Sequence, residues 1–319
     1  MKYPILALAA LCTFSTSSFS NEATNTENMD SATSDIEREQ PEHWSHLPFL
    51  GEKARELGYE LPIPVGMNFY YNTQSVNYDA TDNFNLGLEG TGWLGNINSD
   101  VVIPAEDVVI TGEDQSFQLK IDAWVLPFLN VYGLIGHTKG EKNILADLSN
   151  AEGLPGGGFE GVVLPIPIDY TAYNVGLGTV LAGQAEIIPG MHPFIFTGVA
   201  AFTNSWTTTT DSKIQTYIGS VRVGQRHDVY GGKLAVMLGY NYQLINQNVT
   251  GSYVFNVPSP RGAPGSLTVD YDVNLVSSQS HNMSVSMVYD FGPNNEWNIF
   301  AEYGFLNWDQ LIVSIGRRF

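Results

Sequence analysis

From Lys233 to Ile245 apolar and polar positions alternate. Leu234, Val236, Leu238, Tyr240, Tyr242 and Leu244 fall on one face, and Lys233, Ala235, Met237, Gly239, Asn241 and Gln243 on the other. Successive side chains of a β-strand point to opposite faces, so a period of two predicts a strand with one oily and one more polar side. The division recurs over Ser116 to Val125, where Phe117, Leu119, Ile121, Ala123 and Val125 alternate with Gln118, Lys120, Asp122 and Trp124. It recurs again over His281 to Phe291, with Met283, Val285, Met287, Tyr289 and Phe291 opposite Asn282, Ser284, Ser286 and Asp290. Leu311, Val313, Ile315 and Phe319 share one face of the last predicted strand.

The connections between these runs come in two lengths. Short ones lie at Leu126 to Leu129, Gln184 to Met191, Asp228 to Gly232 and Gly292 to Glu296. Long ones lie at Asn77 to Gln115, Lys139 to Ile168, Thr203 to Gln215 and Val249 to Ser280. The strands left between them start at Ile63, Ser116, Asn130, Asp169, His192, Thr216, Lys233, His281, Trp297 and Gln310, which is about ten. Asp100 to Ile110 and Gly161 to Pro167 either add a hairpin or extend existing strands, so twelve is the alternative. A soluble antiparallel sandwich alternates as well, and periodicity alone does not select a membrane.

The N-terminus supplies a compartment. Lys2 precedes an apolar run from Ile5 to Leu11, and Ser18 and Ser20 stand at the small-residue positions of a cleavage site before Asn21, so residues 1–20 read as a Sec signal peptide. Leu11 occupies the place where a lipobox needs a small residue before Cys12, and the one Cys of the chain leaves with the signal. That excludes disulfide and thiolate chemistry from the mature chain. Residues 21–60 form an acidic linker with a helix expected over Gly51 to Leu57, placed either as a plug or as a surface helix before the first strand. Residues 61–319 carry the strand pattern.

Charge narrows the function classes. Against 14 Lys plus Arg stand 33 Asp plus Glu, and a formal net charge of −19 excludes nucleic acid as a partner. After the signal, no window reaches the ~18 apolar residues of a membrane helix. Gly 32, Tyr 16, Phe 16 and Trp 6 fit short turns and interfacial aromatics.

The signal peptide, the alternation and the terminal Phe319 together resemble Gram-negative outer-membrane β-barrel proteins in general, loosely over Leu61 to Phe319, with no motif that fixes a subfamily. The resemblance implies an all-β, antiparallel up-and-down transmembrane barrel with both ends and the short turns in the periplasm. It also implies outer-membrane lipid and lipopolysaccharide as surroundings, and an assembly machinery that reads Leu311, Val313, Ile315 and Phe319. Arg317 departs from the apolar residue usual at its place, where a long cationic side chain can snorkel to the interface.

Alternation directs Lys120, Asp122, Arg222, Arg226, Lys233, Asp290 and Glu302 into the bore, because a charge facing lipid costs about 2–4 kcal/mol at the midplane. The leading functional expectation is a narrow channel for a small solute, with these charges as its lining. The plainer reading of the same residues is a salt-bridged network that fills a closed barrel. A surface-binding or envelope-structural barrel is the alternative: acidic, Gly/Pro-rich stretches such as AEGLPGGGFEG and FNVPSPRGAPG could hold an extracellular ligand, and Asp107, Glu113 and Asp114 supply acid without a calcium spacing. A hydrolase ranks third, and the expectation is a non-enzyme. His281 with Ser280 and Ser284 is the best catalytic candidate, yet residues so close in one strand do not aim at one point without a bulge. His137, His192 and His227 share no metal spacing, and His43 and His46 beside Trp44 suit a surface or capping role. No cofactor or hydrolase motif of the GxSxG, P-loop or HExxH kind occurs.

Overall fold

The computed structural model describes residues 47–56, 60–154, 160–188, 191–208, 212–259, 262 and 264–319. The expected signal peptide and most of the linker, with His43 and His46, lie outside the described residues. In chain order the strands are β1 (Val65–Ala80), β2 (Phe84–Gly90), β3 (Asn98–Ile103), β4 (Val108–Leu126), β5 (Leu129–Asp147), β6 (Val163–Ala185) and β7 (Phe194–Thr207). They continue as β8 (Lys213–Val229), β9 (Gly232–Val257), β10 (Gly265–Ser277), β11 (His281–Phe291), β12 (Trp297–Gly304) and β13 (Asp309–Arg318).

Ten of them close a ring in the order β1, β4, β5, β6, β7, β8, β9, β11, β12, β13, every neighbouring pair antiparallel. The seam between first and last strand runs from Gly66↔Arg318 to Ser75↔Asp309. Closure leaves no exposed edge, the condition under which a sheet can stand in lipid. Among the described residues no helix is long and apolar enough to cross a membrane. The tight-turn end contains the β8–β9 hairpin, whose Tyr230 and Gly231 have φ of 49° and 77°, the left-handed pair that matches the twist of two-residue hairpins.

The belt of the ring follows the expected alternation. Phe117, Ile121, Ile135, Leu177, Val221, Leu238, Val285 and Ile315 face outward and exposed. Asn68, Ser116, Asp122, Asn130, Asn174, Asn241, Ser284, Ser286, Glu302 and Ser314 face inward and are buried. An oily outside and a polar inside on a closed sheet define a transmembrane β-barrel.

The far end differs from the sequence expectation. Much of the four stretches taken as long connections is strand. β1 runs on to Ala80, β4 begins at Val108, β5 runs to Asp147, β6 begins at Val163 and β9 runs to Val257. Asp100 to Ile110 and Gly161 to Pro167 add no strand to the ring; they supply parts of β3, β4 and β6. Period two continues through these extensions, but its polarity inverts. On β4 the inward series Asp122, Ser116 and Asp114 gives way to Ile110 and Val108, while outward Ile121 and Phe117 give way to Gln115, Glu113 and Thr111.

Beyond the tops of β11, β12 and β13, β10 takes their place. It pairs with β9 from Val276↔Asn246 to Gly265↔Val257 and meets β1 at Tyr78↔Ser277. The β2–β3 hairpin then adds to β10 through Leu267↔Gly90 to Asp272↔Asn85. These strands enclose an apolar core in which Phe84, Ile103, Ile144, Ile166 and Val269 are 0% exposed. We call this upper part the head.

The helix expected near Gly51 is α1 (Gly51–Glu56), and residues 57–59 lie outside the described ones. Its segment lies at the tight-turn mouth. The Phe49 amide donates to Val125 O at 2.8 Å, the Trp124 amide to Pro64 O at 2.8 Å, and Glu60 meets Lys233 at 2.7 Å on β9. The exposed Lys53, Arg55 and Glu56 keep the polar face of α1 in water.

Candidate functional site

All the charges expected in the bore take part in ion pairs. At the tight-turn mouth Arg226 Nη2 lies 3.2 Å from Asp290 Oδ2 and Lys233 Nζ 2.7 Å from Glu60 Oε2. Above them Asp122 accepts from Arg318 Nη2 at 2.8 Å, Asn130 Nδ2 at 2.6 Å and Asn68 Nδ2 at 3.1 Å, with Lys120 Nζ 3.7 Å away. Arg222 grips Glu302 with two nitrogens, Nε to Oε2 at 2.5 Å and Nη2 to Oε1 at 3.1 Å, and its Nη1 donates to Ser220 Oγ at 2.8 Å. Such a planar fork fixes geometry as well as charge. Asn241 Nδ2 bridges Glu302 Oε1 and Ser284 Oγ at 3.3 and 3.0 Å. Gln243 and Gln310 then both donate to Gln74 Oε1, at 3.2 and 3.3 Å.

The next layer separates the polar bore from the head. Lys142 on β5 is 0% exposed, its Nζ 4.4 Å from the ring centroid of Tyr78 and 4.7 Å from that of Tyr170. It donates to Tyr170 Oη at 3.3 Å; Tyr170 Oη donates in turn to Asp114, which also accepts from Gln74 Nε2 at 3.4 Å. Two glycines make room for the rings. A Cβ on Gly112 would stand 2.8 Å from Tyr78 Cε2, and one on Gly140 would stand 2.5 Å from Tyr170 Cζ.

Burial pushes Lys142 below the ordinary 10.5, with Asp114 opposing, and burial pushes Tyr78 and Tyr170 well above the ordinary 10.0. Between the lowered Lys142 value and 10.5 the unfolded chain binds more protons than the folded one, so stability rises with pH. Above 10.0 the unfolded tyrosines ionise while Tyr78 and Tyr170 hold their protons, so stability falls. Denaturant midpoints across the alkaline range should therefore climb and then drop, and Lys142→Met should flatten the climb while keeping the drop.

The remaining candidates separate. His281 sits outside the ring beside Tyr240, whose Oη lies 2.6 Å from Nδ1, and Tyr242, while Ser284 is buried in the bore, so this Ser and His occupy opposite faces of β11. His192 and His227 meet edge to face at 4.8 Å, which their sequence spacing did not suggest. Among the described residues no group of three or more potential ligands could hold a metal. The acids Asp107, Glu113 and Asp114 do not converge: Asp107 accepts from Asn150, Glu113 points outward and Asp114 is buried inside. Leu311, Val313, Ile315 and Phe319 form an exposed outer row, and Arg317 lies over the rings of Trp297 and Phe319 at 5.2 and 5.3 Å.

Sequence reasoning missed Arg318, Glu60 and the Lys142 layer. Arg318 has the parity of Ser314 and Gly316, so alternation could have placed it inside. Lys142 and Asp114 lay in stretches taken as loops. Nothing local marks Glu60.

No family model and no curated protein matches the sequence. Among solved structures, the chain is similar to the translocator domain of autotransporter NalP from Neisseria meningitidis, at 11% identity and TM-score 0.33 over 84% of this chain and 93% of that one. The β domain of the Bordetella autotransporter Brka gives 9%, 0.35, 80% and 100%, and the Ralstonia pickettii toluene transporter TbuX 12%, 0.26, 81% and 90%. These likenesses concern the type of fold; by its own closed ring, oily belt and polar bore, the chain has the architecture of outer-membrane β-barrels in general.

Proposed function

We propose that this chain stands in the outer membrane as a closed, non-enzymatic barrel whose working part is the head, held outside the cell as a binding surface. The observation that carries this is the inverted interior: the inward face of one continuous sheet is polar and ion-paired at the belt, then apolar and packed around Phe84, Ile103, Ile144 and Ile166. A water-borne solute would have to cross that packed apolar core, where polar groups lose their hydrogen bonds. Barrels place their tight turns in the periplasm, which puts the head outside and the Phe49 to Pro64 segment inside. In this reading the exposed row Leu311, Val313, Ile315 and Phe319 meets the assembly machinery first and lipid afterwards.

A narrow solute channel is the second reading. It is favoured by buried polar atoms at the belt without a protein partner, among them Asn174 Oδ1, Ser286 Oγ and Ser314 Oγ, which suit a wet bore. Planar-bilayer recordings separate the two. The closed-barrel reading expects no discrete conductance steps. Steps whose size shifts in Arg226→Ala, a half-exposed partner of Asp290, would replace it with a conduit.

A further inference from the structure

The head contains a cavity of about 120 Å³ with a wholly apolar wall. Leu86 and Leu88 of β2 and Val101 of β3 form its buried floor with Leu148, while Leu164 and Leu267 are half-buried at its rim. The wall therefore draws on β2, β3, β10, β6 and the segment after β5. Backbone bonds fix those pieces relative to one another. Val102 N donates to Glu152 O at 3.0 Å and Glu152 N to Val102 O at 2.9 Å, pinning the segment after β5 onto β3, and Leu148 N donates to Val162 O at 2.9 Å. A cavity that its frame keeps from collapsing leaves its lining short of contacts, and an apolar occupant restores them. Water gains little there, since it needs about 2–4 polar partners.

We infer that this cavity is a binding site for one small uncharged hydrocarbon of about the size of a benzene ring. A dry cavity of about 150 Å³ lined by Leu, Ile and Phe takes up benzene or xenon, and this cavity is of the same order of volume with a wall of Leu, Ile and Val alone. Its wall has no polar group to orient a head group, so specificity comes from volume and exclusion of charge. The ligand is either a free hydrocarbon or the end of an alkyl chain whose polar part stays outside the rim. The inference rests on the head being the working part and lying outside the cell.

The test uses the full chain in lipid nanodiscs with Leu and Val methyl groups labelled for NMR, titrated with benzene and separately with octanoate. Saturable shifts confined to Leu86, Val101 and Leu148, against unsaturated drift at lipid-facing Leu177 and Val236, are the expected result with benzene. Saturation by octanoate at the same methyls assigns the alkyl-chain source, and saturation by benzene alone assigns a free hydrocarbon. Leu267→Phe or Leu164→Phe, each filling the cavity from its half-buried rim, should weaken the saturable phase about tenfold or more. Failure of the head methyls to saturate with either probe overturns the site, as does saturation unchanged in both filled variants. Conductance distinguishes the two claims: a silent barrel with no saturable shift sinks the cavity alone, whereas open steps with a saturable shift sink the closed barrel and leave the cavity standing.

Discussion

Glu302→Ala is expected to lower the free energy of unfolding by about 3–5 kcal/mol, because it leaves the Arg222 guanidinium buried without its carboxylate. The side chains of Arg222 and Glu302 are only 12% and 3% exposed, so water at a mouth cannot replace the lost partner. Removing both charges should cost far less: with Arg222→Met and Glu302→Leu together no unpaired ion remains, and apolar replacement of a buried pair is often near neutral. Reversible urea unfolding in lipid vesicles, followed by tryptophan fluorescence, reads both variants. A loss under about 1 kcal/mol for Glu302→Ala, the range of a solvated pair, would mean that the bore holds enough water to carry Arg222 alone, and would turn the balance toward the conduit.

Phe84→Ala should cost about 3–5 kcal/mol as well, as the loss of a buried aromatic with the cavity it leaves. Its location makes the outcome different in kind. Phe84 sits on β2, which pairs only with β10 and β3 and takes no part in the ring, so the loss should open the head before the belt. Limited proteolysis of the variant is expected to cut between β1 and β4 and within β10, while the ring strands stay protected. Simultaneous loss of the ring would show that the extensions of β1, β4, β5 and β9 couple head and belt into one cooperative unit.

The ring strands were legible because lipid enforces a strict code. Leu234, Val236 and Leu238 must face outward, and a slip of one residue would turn the buried Asn241 toward lipid. The head was not legible by that code. Val269, Tyr271, Val273 and Leu275 alternate as regularly with Asp270, Asp272 and Asn274, yet here water is outside and oil inside, and the Gly/Pro-rich flanks suggested a loop. A search for alternation of either polarity would have found β10. Inward charges could be read from parity, but not their partners. Arg222 meets Glu302 across 80 residues, a pairing set by the register of β8, β9, β11 and β12. The His281 and Ser284 pair failed for the reason parity gives, an odd separation on one strand.

The β10 bridge has a mechanical consequence. The first and last strands meet along Gly66 to Ser75, and above Ser75 the first strand leaves β13 and is gripped by β10. Tyr78, Asp79 and Ala80 pair with Ser277, Val276 and Leu275, Ser278 N donates to Asn77 O at 3.0 Å, and Ser278 Oγ donates to Asp79 Oδ1 at 2.6 Å. These contacts form a clasp just beyond the join. Sideways unzipping of the wall between β1 and β13 must first release that clasp.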